Sequence, residues 1–362
     1  MSGGLVFLAV LSILVIAHEF GHFCVARLFG VKVERFSIGF GPTLFTFRSS
    51  KTEYCVSAIP LGGYVKLAGE HPQEVQASMS KEEFLARSVG VRSAIILAGP
   101  GVNYLLGFLL FSSVFFLGNP QVTSRIGQVL PASPAQGAGL LPGDRIISLD
   151  GKSVLYWEEV TAGIRRKAGG TLQISIDRAG STVAVEVTPA IRQMKNLFGQ
   201  TIRQSQIGIA PAGEMVKIRY GFWESLAKGG QKLIDFTGVT FHSLWAILSG
   251  SLPVRESLTG PIGIFFVTQE AAKLGFVYLL QVMALLSASL AIFNVLPIPV
   301  LDGGHLFFLL LEKIRRRPIA IRVQEMTHQV AVFLLISLVI LIFYNDLVRF
   351  GILGKLFAIF KR

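Results

Sequence analysis

The chain is 362 residues long; 51% of its residues are hydrophobic, only 15% are charged, and its formal net charge is +12. Soluble proteins carry about 25% charged residues. A chain this apolar cannot keep its hydrophobic surface away from water as a purely soluble protein, and it is too apolar to be intrinsically disordered. The positive charge fits the basic cytoplasmic loops of a membrane protein, so we expect no nucleic-acid partner.

Four stretches are apolar and long enough to cross a bilayer as helices, which takes about 20 residues. They are residues 5–26, 93–124, 274–301 and 326–345. A fifth uncharged stretch, 236–254, contains a histidine, a proline and several hydroxyl side chains, and basic residues flank it. We expect this stretch to be an amphipathic helix at a surface rather than a span. The sequence thus predicts an α-helical polytopic membrane protein with four transmembrane helices.

The distribution of basic residues predicts the orientation of these spans. No Lys or Arg precedes Arg27, so we do not expect a cleavable signal peptide, and basic residues follow the first helix instead. The positive-inside rule therefore places the N-terminus outside and the loop of residues 30–92 in the cytoplasm. With four spans, a second basic cluster returns to the cytoplasm, where it can contact lipid headgroups. It consists of Lys313, Arg315, Arg316, Arg317 and Arg322.

The long segment between the second and third spans is extracytoplasmic by the same count. Its first part, residues 121–192, reads like a small β-rich domain. The predicted strands are residues 128–130, 145–149, 172–177 and 182–187, and the predicted helix is 157–167. The run Ser-Pro-Ala-Gln-Gly-Ala-Gly-Leu from Ser133, with Pro-Gly-Asp after it, resembles a bacterial PDZ domain, which binds a peptide as an added strand. A domain that serves only as a spacer is the alternative.

The first span contains the sequence His18-Glu19-Phe20-Gly21-His22. Histidines at positions i and i+4 lie on one face of a helix, about one turn apart, so both can bind one metal ion. A glutamate beside them can act as the base that zinc-dependent hydrolysis needs. An ionisable residue in the middle of a span costs about 2.5–3.5 kcal/mol on insertion scales, which argues against an idle cluster. A polar network that joins helices is the alternative.

A catalytic zinc ion usually has three protein ligands, so the third must come from elsewhere in the chain. The third span ends in Asn-Val-Leu-Pro-Ile-Pro-Val-Leu-Asp-Gly-Gly-His, residues 294–305. The two prolines break the helix, and the glycine pair allows the chain to approach closely. Asp302 or His305 can therefore supply the third ligand. With four spans, the first and third helices run in the same direction, so this motif and His22 lie near the same, cytoplasmic face of the membrane.

Together these motifs resemble those of the site-2 proteases, which are intramembrane zinc metalloproteases. The PDZ-like insertion and the Leu-Gly-Gly-Tyr-Val-Lys run of residues 61–66 resemble the bacterial branch typified by the regulator of sigma-E protease. The resemblance implies that His18, His22 and Asp302 bind Zn²⁺ and that Glu19 is the general base.

The resemblance also implies where the substrate is held. Asn294 matches an asparagine that binds the substrate backbone, and Gly62, Gly63 and Tyr64 match a membrane-associated re-entrant β-hairpin that pairs with the unwound substrate. The substrates implied are single-span membrane proteins, namely anti-sigma factors or remnant signal peptides. The location implied is a bacterial inner membrane, with the N-terminus and the PDZ-like domain extracytoplasmic.

The expected organisation has four parts. Residues 1–120 contain the first two spans and the hairpin, 121–192 form the PDZ-like α+β domain, 193–272 form an extracytoplasmic connector with amphipathic helices, and 273–362 contain the last two spans. Two other functions remain open at this point. One is a non-catalytic membrane receptor whose PDZ-like domain binds peptide tails, and the other is a metal transporter, because intramembrane His and Asp often line ion paths.

Overall fold

The structure is a computed structural model that describes residues 3–49, 52–70, 80–167, 169–195, 201–252, 259–317 and 319–351. It divides into two compact units. We call them the membrane unit, which contains Met1–Val114, Phe222–Ser251 and Leu258–Arg362, and the inserted unit, which contains Phe115–Gly221.

The helices are α1 Gly3–Leu28, α2 Val89–Leu117, α3 Pro134–Gly137, α4 Trp157–Arg166, α5 Phe222–Leu248, α6 Pro261–Leu274, α7 Phe276–Val295, α8 Asp302–Arg315 and α9 Ile321–Arg349. The strands are β1 Val33–Ser49, β2 Thr52–Leu67, β3 Asn119–Val122, β4 Ile126–Val129, β5 Arg145–Leu149, β6 Lys152–Ser153, β7 Leu172–Arg178, β8 Ser181–Val187, β9 Ala190–Lys195, β10 Thr201–Gln206, β11 Ile209–Pro211 and β12 Met215–Ile218.

Four helices of the described residues, α1, α2, α7 and α9, are long and apolar enough to cross a membrane, as the sequence predicts. Two of them end earlier than expected. Helix α2 ends at Leu117 and Gly118 follows with a φ of 116°, a conformation that glycine adopts readily and other residues rarely adopt. Helix α7 ends at Val295 because Pro297 cannot continue the hydrogen-bonding pattern.

Residues 236–248 of the predicted amphipathic stretch are the second half of the longer helix α5, which packs in the membrane unit. A Cβ on Gly229 would collide with the backbone of Ser112 in α2, so the two helices are in close contact there. The Tyr104 hydroxyl of α2 lies 3.0 Å from the Thr237 hydroxyl of α5. Helix α5 is therefore packed against a candidate span at Gly229 and Thr237, and it is not among the helices of the described residues that are long and apolar enough to cross a membrane.

Strands β1 and β2 form more than the predicted hairpin, because each folds back on the other. Residues 35–38 of β1 pair with 53–56 on one side and with 63–66 on the other. Residues 43–49 of β1 pair with 52–57. The result is a small antiparallel sheet of four segments, in which residues 63–67 form an outer segment.

The inserted unit is built on an antiparallel sheet of order β6-β5-β7-β8. The predicted strands and the predicted helix of this region are all found, within a few residues of their expected ends. Its core is aliphatic and fully buried, with Ile126, Ile146, Ile174 and Ile176 each 0% exposed. Such alternation of buried and exposed positions along β7 is what a sheet with one solvated face requires.

The inserted unit extends past the expected boundary at residue 192. Strand β11 pairs with β4, and β12 pairs with β3. The segment from β9 to β12 thus returns to strands at the start of the unit, because these short strands satisfy their backbone hydrogen bonds on each other. The structure therefore divides residues 193–272 between the inserted unit and helices α5 and α6 of the membrane unit.

Candidate metal centre

Three side chains from two helices converge within the membrane unit. His18 Nε2 lies 3.0 Å and His22 Nε2 lies 3.6 Å from Asp302 Oδ2. The two Nε2 atoms lie 3.2 Å from each other. In the part of the chain that the structure describes, this is the one group of three His, Cys, Asp or Glu residues whose ligand atoms all lie within 4.8 Å of one another.

The chemistry of this group fits a zinc ion. Two imidazole nitrogens and one carboxylate oxygen match the ligand set of catalytic zinc sites, which keep a fourth position open. Asp302 Oδ2 is buried, and no described residue donates a hydrogen bond to it. A buried carboxylate oxygen without a donor is unfavourable unless a cation binds it. The residues present can therefore hold zinc.

The start of α8 brings Asp302 to the histidines. The chain leaves α7 at Val295, turns through Pro297 and Pro299, and begins α8 at Asp302 itself. A Cβ on Gly303 would collide with the carbonyl oxygens of residues 295 and 296, and one on Gly304 with that of residue 298. The glycine pair thus allows the helix start to fold against its own preceding loop, as the sequence indicated. His305, the alternative ligand, is exposed and outside the group.

Helix α2 forms the wall behind the two imidazoles. His22 Nδ1 donates a hydrogen bond to the carbonyl oxygen of Ile95 over 2.9 Å, which leaves the Nε2 lone pair directed at the centre. The side-chain amide of Asn103 lies 3.5 Å from His18 Nδ1. A Cβ on Gly99 would collide with both imidazole rings.

Sequence reasoning missed all three of these α2 residues. Gly99 and Asn103 each left a trace in the sequence, as a glycine next to Pro100 and as an amide side chain inside an otherwise apolar span. Ile95 acts through its main chain, so its side chain carries no signal.

Glu19 lies one residue after His18 and is held by the sheet. The backbone N–H of Val65 donates to Glu19 Oε2 over 3.1 Å. Val65 belongs to the outer segment 63–67, so this N–H points out of the sheet toward α1. The contact connects the metal centre to the hairpin motif, and sequence reasoning did not identify it.

The other expected substrate-binding residues lie on the same elements. Gly62 has a φ of 109°, and a Cβ there would come within 3.0 Å of Val15 Cγ1 in α1, so this glycine allows the strand to pass close to the helix. Gly63 pairs with Ile38, and the Tyr64 hydroxyl accepts a hydrogen bond from Arg35 over 3.3 Å. Asn294 is half-buried near the end of α7.

The sequence matches the family model of peptidase family M50 over residues 6–338. This chain belongs to peptidase family M50. The M50 peptidase is 35% identical over 341 residues to a Campylobacter jejuni protein named as a zinc metalloprotease, a match that covers 94% of this chain and 92% of that protein. It is 29% identical to the regulator of sigma-E protease RseP of Salmonella typhimurium, with 95% of this chain and 98% of that protein covered.

Among solved structures, a PDZ domain of an SdrC-like protein from Listeria monocytogenes matches at 22% identity and a TM-score of 0.21, covering 24% of this chain and 84% of that domain.

Family membership decides between the functions that the sequence left open. The M50 peptidase is a site-2-type zinc metalloendopeptidase, its cofactor is Zn²⁺, and it acts by intramembrane proteolysis. The hypotheses of a non-catalytic receptor and of a metal transporter are not favoured. The four apolar helices of the described residues and the similarity to RseP together support a multi-pass inner-membrane protein.

Proposed function

We propose that this M50 peptidase cuts the transmembrane segments of single-span membrane proteins at a zinc ion held by His18, His22 and Asp302. The convergence of their three ligand atoms within 4.8 Å carries the proposal. The similarity to a regulator of sigma-E protease favours anti-sigma factors as one substrate class. Remnant signal peptides, which are also short single spans, are the second class.

Glu19 is the proton carrier of the proposed reaction. Zinc bound at this centre would polarise the scissile carbonyl and make a water molecule acidic enough to lose a proton near neutral pH. The hydrogen bond from Val65 holds Glu19 Oε2, which leaves Oε1 to accept that proton. Glu19 then gives the proton to the leaving amine as the peptide bond breaks.

The substrate must unwind before it can be cut, because a membrane helix hides its peptide bonds in its own hydrogen bonds. The outer segment of the sheet, which includes Gly63 and Tyr64 and directly follows Gly62, offers an edge on which the unwound chain can add as a strand. The outward N–H of Val65 supports this role, since it shows that the edge faces the helix that carries Glu19. Asn294 supplies an amide that can hold the substrate backbone from the other side.

The sheet is proposed to dip into the membrane. Large apolar side chains are exposed on the edge segment opposite residues 63–67, which is residues 43–49 of β1. Phe45 and Phe47 of this segment are 74% and 68% exposed. Exposed apolar surface of this kind fits acyl chains better than water. The basic residues at the end of α8 are proposed to contact lipid headgroups on the cytoplasmic side.

The orientation proposed puts the N-terminus and the inserted unit outside the cell membrane and the sheet on the cytoplasmic side. The basic residues that follow α1 and α8 support this orientation. We propose that the inserted unit acts as a PDZ-like domain and binds an extended peptide, which would give it a part in the selection of substrates.

The replacement Glu19→Gln tests the mechanism. It keeps the size of the side chain and an oxygen that accepts from Val65, but removes the base, so cleavage of a model single-span substrate should be lost. Zinc content should stay at the wild-type level because Glu19 is not one of the three ligands.

Glu34→Gln serves as the matched control, since Glu34 lies on β1 and pairs with Lys66 at the surface. This control should cleave normally. Cleavage at the wild-type rate by Glu19→Gln would contradict the role of Glu19.

A further inference from the structure

Asn103 is a polar side chain of α2 that the membrane unit buries completely. It is 0% exposed. Its Nδ2 atom lies 3.5 Å from His18 Nδ1, and its Oδ1 atom is buried with no hydrogen-bond donor among the described residues. Such a residue in the middle of an apolar helix is unfavourable unless its amide has a task.

The orientation of the His18 ring determines which hydrogen bond the Asn103 amide must make. His18 Nε2 faces Asp302 and His22 Nε2, so it must be unprotonated to bind a metal ion. In a neutral imidazole the proton then sits on Nδ1, which becomes a donor and needs an acceptor. Asn103 is the described residue that lies at hydrogen-bonding distance from Nδ1.

An asparagine side chain can meet this need by turning its amide through a half-turn, which exchanges Oδ1 and Nδ2. With Oδ1 toward His18, the amide oxygen accepts from Nδ1–H. With Nδ2 toward His18, the amide would instead require the proton on Nε2, the atom that faces the centre. Only the first arrangement is compatible with a metal ion on His18.

We infer that Asn103 is a positioning residue, whose amide oxygen accepts a hydrogen bond from His18 Nδ1 and fixes the tautomer that binds zinc. The inference rests on the proposed role of His18 as a ligand. It makes α2 the helix that orients both imidazoles, because Ile95 does for His22 through its carbonyl oxygen what Asn103 does for His18. Such outer partners keep a ligand in the correct orientation and tautomer.

The contact of Asn103 with the neighbouring helix α7 uses its main chain and not its side-chain amide. The main-chain carbonyl of Asn103 accepts a hydrogen bond from Ser287 Oγ in α7 over 2.7 Å. This bond joins α2 to α7 without involving the amide. The amide can therefore be replaced while the contact between the helices is kept, and the contact can be removed while the amide is kept.

The test compares zinc affinity, measured by competition with a chelator, in full-length protein in detergent. Asn103→Leu has a similar volume but no acceptor, and it should weaken zinc binding by about 10- to 100-fold. Asn103→Asp restores an acceptor oxygen and should bind zinc at least as tightly as the wild type. Ser287→Ala, the control for helix packing, should stay close to the wild type.

Two results would overturn the inference. The first is wild-type zinc affinity in Asn103→Leu while His18→Ala loses zinc; if His18→Ala itself keeps zinc, the ligand assignment fails instead. The second is read on the ring itself. In zinc-loaded protein labelled with ¹⁵N-histidine, the Nδ1–H of His18, identified as the signal that disappears in His18→Ala, should exchange with solvent more slowly in the wild type than in Asn103→Leu. Equal exchange in the two proteins would contradict the inference.

Discussion

At the scale of single residues, the candidate metal centre depends on the absence of a Cβ atom at position 99. Gly99 leaves space for both imidazole rings, and a Cβ there would come within 2.8 Å of His18 Cε1 and closer still to His22. Both rings also approach Asp302, whose Oδ2 lies 3.0 Å from His18 Nε2 and 3.6 Å from His22 Nε2. Gly99 is therefore as much a part of the site as the ligands are.

We predict that Gly99→Ala displaces the imidazoles and lowers zinc affinity by about 10-fold or more, a loss typical of damage to the surroundings of a metal site. Zinc retained after dialysis and cleavage of a model substrate measure the effect. Gly101→Ala is the matched control, because it lies on the same helix and a Cβ there meets nothing within 4 Å. Equal zinc retention in the two variants would show that Gly99 has no such role.

The residues proposed to do the chemistry could be identified from the sequence, and those proposed to position them could not. His18, Glu19, His22 and Asp302 are expensive to place in a membrane, so their types and spacing are informative. Ile95 and Val65 act through main-chain atoms that every residue has. Their roles depend on which helix and strand pack against α1, which one sequence does not reveal.

At the scale of elements, the inserted unit depends on a buried ion pair at its turns. Asp144 is 2% exposed and accepts two hydrogen bonds from Arg178, over 2.8 and 2.7 Å, and one from the backbone N–H of Leu141 over 2.8 Å. Burial raises the pKa of the Asp144 carboxyl, but Arg178 and the Leu141 N–H outweigh it and hold the pKa below its usual range.

We predict that Asp144→Asn lowers the free energy of unfolding of the inserted unit by about 2 kcal/mol, less than a fully buried pair because solvent reaches Arg178. Because the pKa of Asp144 is lower in the folded state, the ion pair contributes its full stabilisation at pH values above the unfolded pKa of about 3.9. This stabilisation is lost as the pH falls through the folded-state pKa of Asp144. Hydrogen exchange of residues 115–221 at pH 7 and pH 3 measures both effects.

Asp150→Asn is the control for this pair. Asp150 forms an ion pair with Lys167 that is more than one-third exposed on both sides, and its φ of 47° is one that asparagine tolerates. It should change protection little at either pH. Equal loss of protection in both variants would contradict a special role for Asp144.

The elements differ in how well the sequence predicted them. The four spans and the strands β5, β7 and β8 have strong periodic or apolar signals, and they were found as expected except that α2 and α7 end earlier. The sheet of β1 and β2 was predicted only as a hairpin, because its double pairing arises from register and not from composition. The stretch 236–254 was predicted as an amphipathic helix, and its composition did not reveal the hydrogen bond of Thr237 to Tyr104 in α2.

At the scale of the whole molecule, the proposed topology can be tested by labelling. Single cysteines are placed at Ser181, in the turn-side start of β8, and at Lys81, in the loop before α2, after replacement of Cys24 and Cys55 by alanine. A membrane-impermeant maleimide added to spheroplasts should label Ser181→Cys at once and Lys81→Cys only after permeabilisation. The opposite pattern would invert the orientation proposed from the basic residues.

At this scale, the proposed activity requires that α1 and the start of α8, which are far apart in the sequence, bind the same zinc ion. Family membership establishes zinc-dependent proteolysis, and the close approach of α1 to the start of α8 identifies the place where it is proposed to occur. Each helix alone offers too few ligands for a catalytic zinc site.

The zinc content of the purified protein is the most direct test of this arrangement. We predict about one zinc ion per chain in the wild type, and loss of most of it after either His22→Ala or Asp302→Ala, because each replacement removes one of three ligands. Full zinc occupancy in Asp302→Ala, with no loss of folded protein, would contradict a centre shared by α1 and α8.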